Sequence, residues 1–147
     1  MPGRQSLAEE RYYVGRRNRF WPVMGRLFDF DPGLLYEQRV NALRSSGVAL
    51  WDVLRSCERK DSLDSSIVRG TEILNDFPAF LDEHPALRAF AFNGQTAFKA
   101  FRRADGVVLL KTQKLEALPL PSTSAVNTRA TEDVLVEHWR GVLQYLK

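Results

Sequence analysis

The alternation of helical and extended patterns along this chain predicts an α/β fold. The expected form is a three-layer α/β/α sandwich on a mostly parallel central sheet of about four strands. Three observations carry that expectation. Two short apolar runs, Val48–Val53 and Arg88–Phe92, are each preceded by a segment with helical spacing, the pattern of buried parallel strands joined by crossover helices. A further extended segment falls at Val107–Leu110 or Glu116–Leu120, which compete for the last strand. The length of 147 residues suits one buried core and is short for two, so a single domain over residues 1–147 is expected.

Taken in order, Ser6 followed by Glu9 has the form of a capping box, which starts a short helical turn near Leu7. Tyr12–Arg19 reads as loop. Phe20, Met24, Leu27 and Phe28 share one helical face and predict a helix over Phe20–Phe28. Pro22 is tolerable there because it lies in the first turn. Asp31-Pro32 opens a second helix through Ser46, with Leu35, Val40 and Leu43 pointing inward and Gly47 as its cap. Arg55–Gly70 is polar and reads as a functional loop or a mere connection. Phe77, Phe80 and Leu81 make a short helical face, and Gln95–Arg103 is a helix with Ala97, Phe98 and Phe101 on one side. Thr131, followed by Glu132 and Asp133, starts the last helix, whose stripe is Leu135, Trp139, Val142, Leu143 and Leu146. Ligands of such sheets collect at the carboxyl ends of the strands, so the loops after Val53, Phe92 and Leu120 are expected to converge.

Composition narrows the function. No apolar run approaches the ~18 residues needed to span a bilayer, and Met1–Gln5 has no apolar stretch behind its charge. A soluble, intracellular, cytoplasmic protein with no membrane partner is expected. Cys57 is the single cysteine, which excludes an internal disulfide and a four-cysteine metal site. His84 and His138 lack partners at metal-ligand spacing, so neither a metal nor a cofactor is expected. No phosphate loop or dinucleotide fingerprint appears. The net charge of +3 and pI near 9.2 fit a polyanionic partner, and the placement of charge says more. Arg16, Arg17 and Arg19 bracket Asn18 beside Tyr12, Tyr13, Phe20 and Trp21; cations can hold phosphates while aromatic faces hold a base. The same string also fits a solvated basic turn beside core aromatics, with Asn18 as a helix cap.

Longer strings are more specific. Tyr12-Tyr13 with Arg17-Asn18-Arg19-Phe20-Trp21 resembles the segment after the first motif of the hypoxanthine-DNA glycosylases, a branch of the uracil-DNA glycosylase superfamily. Ala49-Leu50-Trp51-Asp52-Val53 with Cys57-Glu58-Arg59 and Ser62-Leu63-Asp64 resembles that branch's second block, and Phe92-Asn93-Gly94 its third. Leu120-Pro121-Ser122-Thr123-Ser124 is similar to the superfamily's second catalytic motif. These blocks stand in the family's order. One departure lies at the front. The family's first motif runs along an apolar strand into Gly-Ser-Met-Pro-Gly, whereas this chain begins at Met1-Pro2-Gly3, so the first strand is expected to be missing or incomplete.

The resemblance implies a monomeric, nucleoid-associated base-excision repair enzyme, a monofunctional glycosylase that needs no cofactor. It would flip a deaminated base out of single- or double-stranded DNA and hydrolyse its N-glycosidic bond, leaving an abasic site. Hypoxanthine is the first choice of base, with uracil and xanthine as further candidates. By the resemblance, Asn18 would orient the attacking water, Tyr13 would stack on the extruded base and Asn93 would hydrogen-bond to it. Arg17, Ser122, Thr123 and Ser124 would contact DNA phosphates, and Ala125 and Val126 would press into the minor groove. A DNA-binding remnant without catalysis is the alternative, and a nucleotide-binding α/β domain a more distant one.

Overall fold

Helices form in this chain where an apolar stripe repeats every three to four residues, and strands form only where a neighbouring strand pairs with them. The structure, a computed structural model, describes residues 6, 8–60, 66–68, 70–103 and 106–146. In chain order the elements are α1 (Phe20–Phe28), α2 (Tyr36–Ser45), β1 (Leu54–Ser56), β2 (Ile73–Leu74), α3 (Phe77–Glu83), β3 (Ala89–Asn93), α4 (Gln95–Arg103), α5 (Gly106–Gln113), β4 (Glu116–Leu120) and α6 (Glu132–Trp139), which continues as a 3-10 helix over Arg140–Tyr145. They fall into two units, residues 2–51 with 120–147, and residues 52–119.

In the first unit, α1 buries Phe20, Trp21, Val23 and Met24, α2 buries Leu43, and α6 buries Leu135, Val136 and Trp139. Phe20 meets Trp21 and Trp139 edge to face, with ring centres 5.2 and 6.0 Å apart. Each such side chain contributes roughly 1.5–3 kcal/mol on burial, so this cluster holds the unit together. The ion pairs of Arg26 with Asp133 and Glu132 are exposed to solvent and add little beside it. The hydrogen bonds that Arg26 donates to these carboxylates, that to Asp133 first, raise its pKa above the ordinary value.

Helix α1 has the predicted bounds, but α2 starts five residues later than Asp31-Pro32. Asp31 Oδ1 accepts from Gly33 N at 2.7 Å and Leu34 N donates to the Asp31 carbonyl. A side chain that bonds its own backbone two residues on favours a turn over a helix. Leu35, expected to point inward, is therefore 71% exposed at the entrance to α2. The helix ends as predicted: Gly47 has φ +80°, and Val48 N reaches back to the Leu43 carbonyl, a closure that glycine allows at little cost.

The start of α6 also follows the prediction. Thr131 Oγ1 accepts from Val134 N, and Glu132 and Asp133 lie in the first turn. Thr131→Ala should lower stability by about 1 kcal/mol, read as a shift in urea midpoint at constant slope. The apolar stripe ends differently: Val142 and Leu143 are half-buried in the 3-10 continuation, where Gly141 weakens the α-helix.

In the second unit, β3 and β4 form a parallel pair joined through α4 and α5, the crossover that a parallel pair requires. Phe101 of α4 is fully buried, with its ring centre 5.0 Å from those of Phe77 and Phe92. Phe90, Phe98, Val53 and Leu74 close around them. Glu116–Leu120 is the last strand, and Val107–Leu110 is helical, inside α5.

The α/β class therefore holds, with four strands among the described residues, but they form two pairs in place of one central sheet. β1 and β2 pair antiparallel, Leu54 opposite Leu74, with a further bridge from Arg59 to Ile67. Part of the supposed loop Arg55–Gly70 is thus strand. Val48–Val53, predicted as a buried strand, is not one: it joins neither pair, and Trp51 is 41% exposed. An apolar run becomes a strand only when a neighbour takes up its backbone groups. Leu7 and residues 1–5, where the helical turn and the family's first motif were expected, lie outside the described residues. No described helix is long and apolar enough to cross a membrane.

Candidate functional site

The loop before α1 and the loop between β4 and α6 meet at Asn18, within the unit of residues 2–51 and 120–147. Asn18 N donates to the Gly15 carbonyl at 2.8 Å, which tightens the turn. Its side chain is half-buried, and its Oδ1 accepts from Phe20 N at 2.9 Å and from Thr123 Oγ1 at 3.0 Å. The Phe20 amide is one of the orphan donors at the start of α1, so Asn18 serves as a cap-like partner there.

Thr123 is the buried polar residue of the site, at 0% exposure. It links the two loops, because Arg19 N also donates to its carbonyl at 3.0 Å. The Thr123 hydroxyl faces inward to Asn18. Ser122 and Ser124 are half-buried, and each accepts through Oγ from a backbone amide two residues on, Ser124 N and Val126 N. These turns shape the loop and leave Ala125 and Val126 outside, Val126 at 70% exposure.

Two residues hold this loop, Asn127, which the sequence does not mark, and Arg19, which the sequence places only in a basic cluster. Arg19 donates from Nη1 to the Ala130 carbonyl and from Nη2 to those of Ser124 and Asn127, at 2.9 and 2.7 Å. Asn127 Nδ2 donates to the Ser122 carbonyl at 2.8 Å. Trp139 Nε1 of α6 anchors the start of the loop on the Pro121 carbonyl at 3.1 Å. No spacing rule links residues that lie 105 to 111 positions apart, and in the sequence Arg19 looks like one more member of a basic cluster.

Tyr13 lies in the left-handed region at φ +57°, a conformation that costs a bulky residue of order 1–3 kcal/mol. Its ring stacks on Phe20, centres 4.0 Å apart at 22°. One face of the predicted base-stacking residue is thus covered from below by the core. Its neighbour is tied down too: Tyr12 N donates to Tyr36 Oη, and Trp21 Nε1 donates to the Tyr12 carbonyl. Arg16 and Arg17 are exposed beside Asn18. Asn93 belongs to the other unit, half-buried at the carboxyl end of β3. The structure therefore gathers Tyr13, Arg17, Asn18 and Ser122–Val126 in one unit, with Asn93 in the other. Among the described residues no three His, Cys, Asp or Glu side chains gather to hold a metal.

A strained aromatic, a capped amide and a Pro-Ser-Thr-Ser loop, joined at one place on an α/β fold, are the parts that the resemblance assigns to a DNA glycosylase. The whole chain, residues 1–147, matches the Uracil DNA glycosylase superfamily, and it belongs to that superfamily. It is similar to the hypoxanthine DNA glycosylase of Methanosarcina acetivorans, 30% identical over 146 residues that cover 99% of this chain and 87% of the relative. The hypoxanthine DNA glycosylase of Methanosarcina barkeri is 28% identical over 131 residues, 88% of this chain and 78% of that one. Among solved structures, the solution NMR structure of a candidate uracil DNA glycosylase from Methanosarcina acetivorans superposes with a TM-score of 0.78 at 29% identity, covering 99% of this chain and 85% of that one.

Proposed function

We propose that this chain, as one glycosylase domain, removes hypoxanthine from DNA by hydrolysing the bond between the base and C1′ of its deoxyribose. The observation that carries this reading is the junction of Asn18 with Thr123, in a chain of which 99% aligns with a hypoxanthine DNA glycosylase. In the proposed reaction the C1′–N bond breaks with its electron pair on the base. An oxygen of water then bonds to the cationic sugar, and of that water's protons one is released while the base takes up a proton. Water is added and nothing else is consumed, so no cofactor is required.

Such a site must hold a flipped base, orient the water and stabilise separated charges. Tyr13, fixed in its strained conformation and backed by Phe20, is the platform for the base; Asn93 is assigned to its polar edge. Asn18 orients the water; an amide is too weak a base to take the proton outright. Arg17 and the turns at Ser122 and Ser124 face the phosphates, and Ala125 and Val126 enter the minor groove where the base has left. Uracil and xanthine are secondary substrates under this reading, and the enzyme works as a monomer on cytoplasmic, nucleoid-associated DNA.

The test is incubation of the purified protein with end-labelled duplexes that carry one deoxyinosine, deoxyuridine or normal base, followed by alkaline cleavage of abasic sites. Cutting at deoxyinosine is expected. Salt-sensitive DNA binding by folded protein without base release would point instead to a binding remnant. Because Arg17 is exposed and is assigned to a phosphate under this reading, Arg17→Ala should lower the slope of log affinity against log salt by about one, measured by fluorescence anisotropy with a labelled duplex.

A further inference from the structure

We infer that Asn18 works through its amide nitrogen as a hydrogen-bond donor, and that Thr123 is the positioning residue that turns that end of the amide to the substrate. The inference rests on the proposed function and specifies how its central residue acts.

Which end of the Asn18 amide is the oxygen is settled by its partner. Phe20 N is a backbone amide and can only donate, so the atom 2.9 Å from it must be the acceptor, Oδ1. A flipped amide would set two donors against each other. Thr123 Oγ1 lies 3.0 Å from the same oxygen, and a hydroxyl facing an acceptor donates to it. The oxygen has two lone pairs, and these two bonds engage both. No described residue accepts from Nδ2, so the nitrogen is the end of this half-buried side chain that remains for a substrate atom or the water.

Thr123 gives this arrangement its rigidity. It is fully buried, and its own carbonyl is held by Arg19 N, so the hydroxyl is fixed on a backbone that is itself fixed. A fixed donor aimed at the departing base stabilises the electron pair that collects there, and one aimed at the water holds it by a single lone pair and leaves the other to attack; neither costs reorganisation when the reaction occurs. The water held by Nδ2 must release its proton to another acceptor, since the amide oxygen is occupied.

Substitution separates donor from acceptor. In Asn18→Asp one carboxylate oxygen can keep both bonds, and the other replaces Nδ2, so a donor becomes an acceptor of almost the same shape. The donor role predicts that Asn18→Asp loses single-turnover excision of hypoxanthine at least as severely as Asn18→Ala, about 100-fold. An Asn18→Asp rate within about threefold of wild type, or faster, would overturn it. For Thr123, the near-isosteric Thr123→Val should slow excision about tenfold, as for one lost hydrogen bond, and Thr123→Ser should restore it to within about threefold. The effect of Thr123→Val should vanish in an Asn18→Ala background, because it acts through that amide; a penalty that persists there would mark Thr123 as merely structural and overturn the positioning role. If Thr123→Val does not fold, the comparison of Asn18→Asp with Asn18→Ala decides alone. A folded wild-type protein that releases no base would overturn the proposed function and this inference together, whereas an active wild type with an active Asn18→Asp overturns the inference only.

Discussion

Asn18→Ala should cut the single-turnover rate of hypoxanthine release by about 100-fold or more while the protein stays folded. A preorganised hydrogen-bond donor contributes on the order of 100- to 1,000-fold, and Asn18 has the fixed geometry for such a role, with its oxygen held by Phe20 N and Thr123 Oγ1. The same substitution removes an acceptor from the start of α1, at a cost of about 1 kcal/mol, as for other lost helix caps. That is modest beside the cluster of Phe20, Trp21, Leu135 and Trp139, all nearly or fully buried. Rate and stability are thus affected through different partners. Single-turnover excision at saturating enzyme, set beside a thermal melt, separates them. Unchanged excision by a folded Asn18→Ala would remove Asn18 from the chemistry and leave it as a cap alone.

The parts of this molecule legible in the sequence are those determined by near neighbours. Helices α1 and α4 have the predicted bounds because a stripe of apolar residues is a local pattern, and the Gly47 and Thr131 caps follow from the chemistry of one residue. Helix α2 starts later than the sequence predicts because Asp31 has two local uses, helix opening and turn formation, and Gly33 N settles the choice. Val48–Val53 departs from the predicted strand for a different reason. Its composition suits a buried strand, but pairing is a long-range event that hydrophobicity does not report. The candidate site follows the same division. Asn18 and the Pro-Ser-Thr-Ser loop were visible as separate strings, each with an ordinary explanation as a cap or a turn. Their union through Thr123, and its reinforcement by Arg19 and Asn127, is a tertiary fact with no signature in spacing.

That reinforcement carries the last prediction. Arg19 looks in sequence like a phosphate contact, one of three arginines around Asn18, yet its guanidinium faces inward to the carbonyls of Ser124, Asn127 and Ala130, and its backbone amide holds a fourth, that of Thr123. Charge-assisted hydrogen bonds contribute about 1.5–3 kcal/mol each, but three sharing one partly exposed cation are not additive. Arg19→Ala should therefore destabilise the protein by about 3 kcal/mol, seen in urea denaturation. Arg19→Lys should recover less than half of that, because one ammonium cannot match a planar fork that spans three carbonyls. Excision should fall in both, since the loop that fixes Asn18 loses its clamp. The salt dependence of DNA binding distinguishes this strut from a phosphate ligand. Removing an inward-facing cation leaves the number of phosphates neutralised unchanged, so Arg19→Ala should keep the wild-type slope where Arg17→Ala lowers it by about one. A stable Arg19→Ala with a reduced slope would move Arg19 from the frame of the site to its DNA-facing surface.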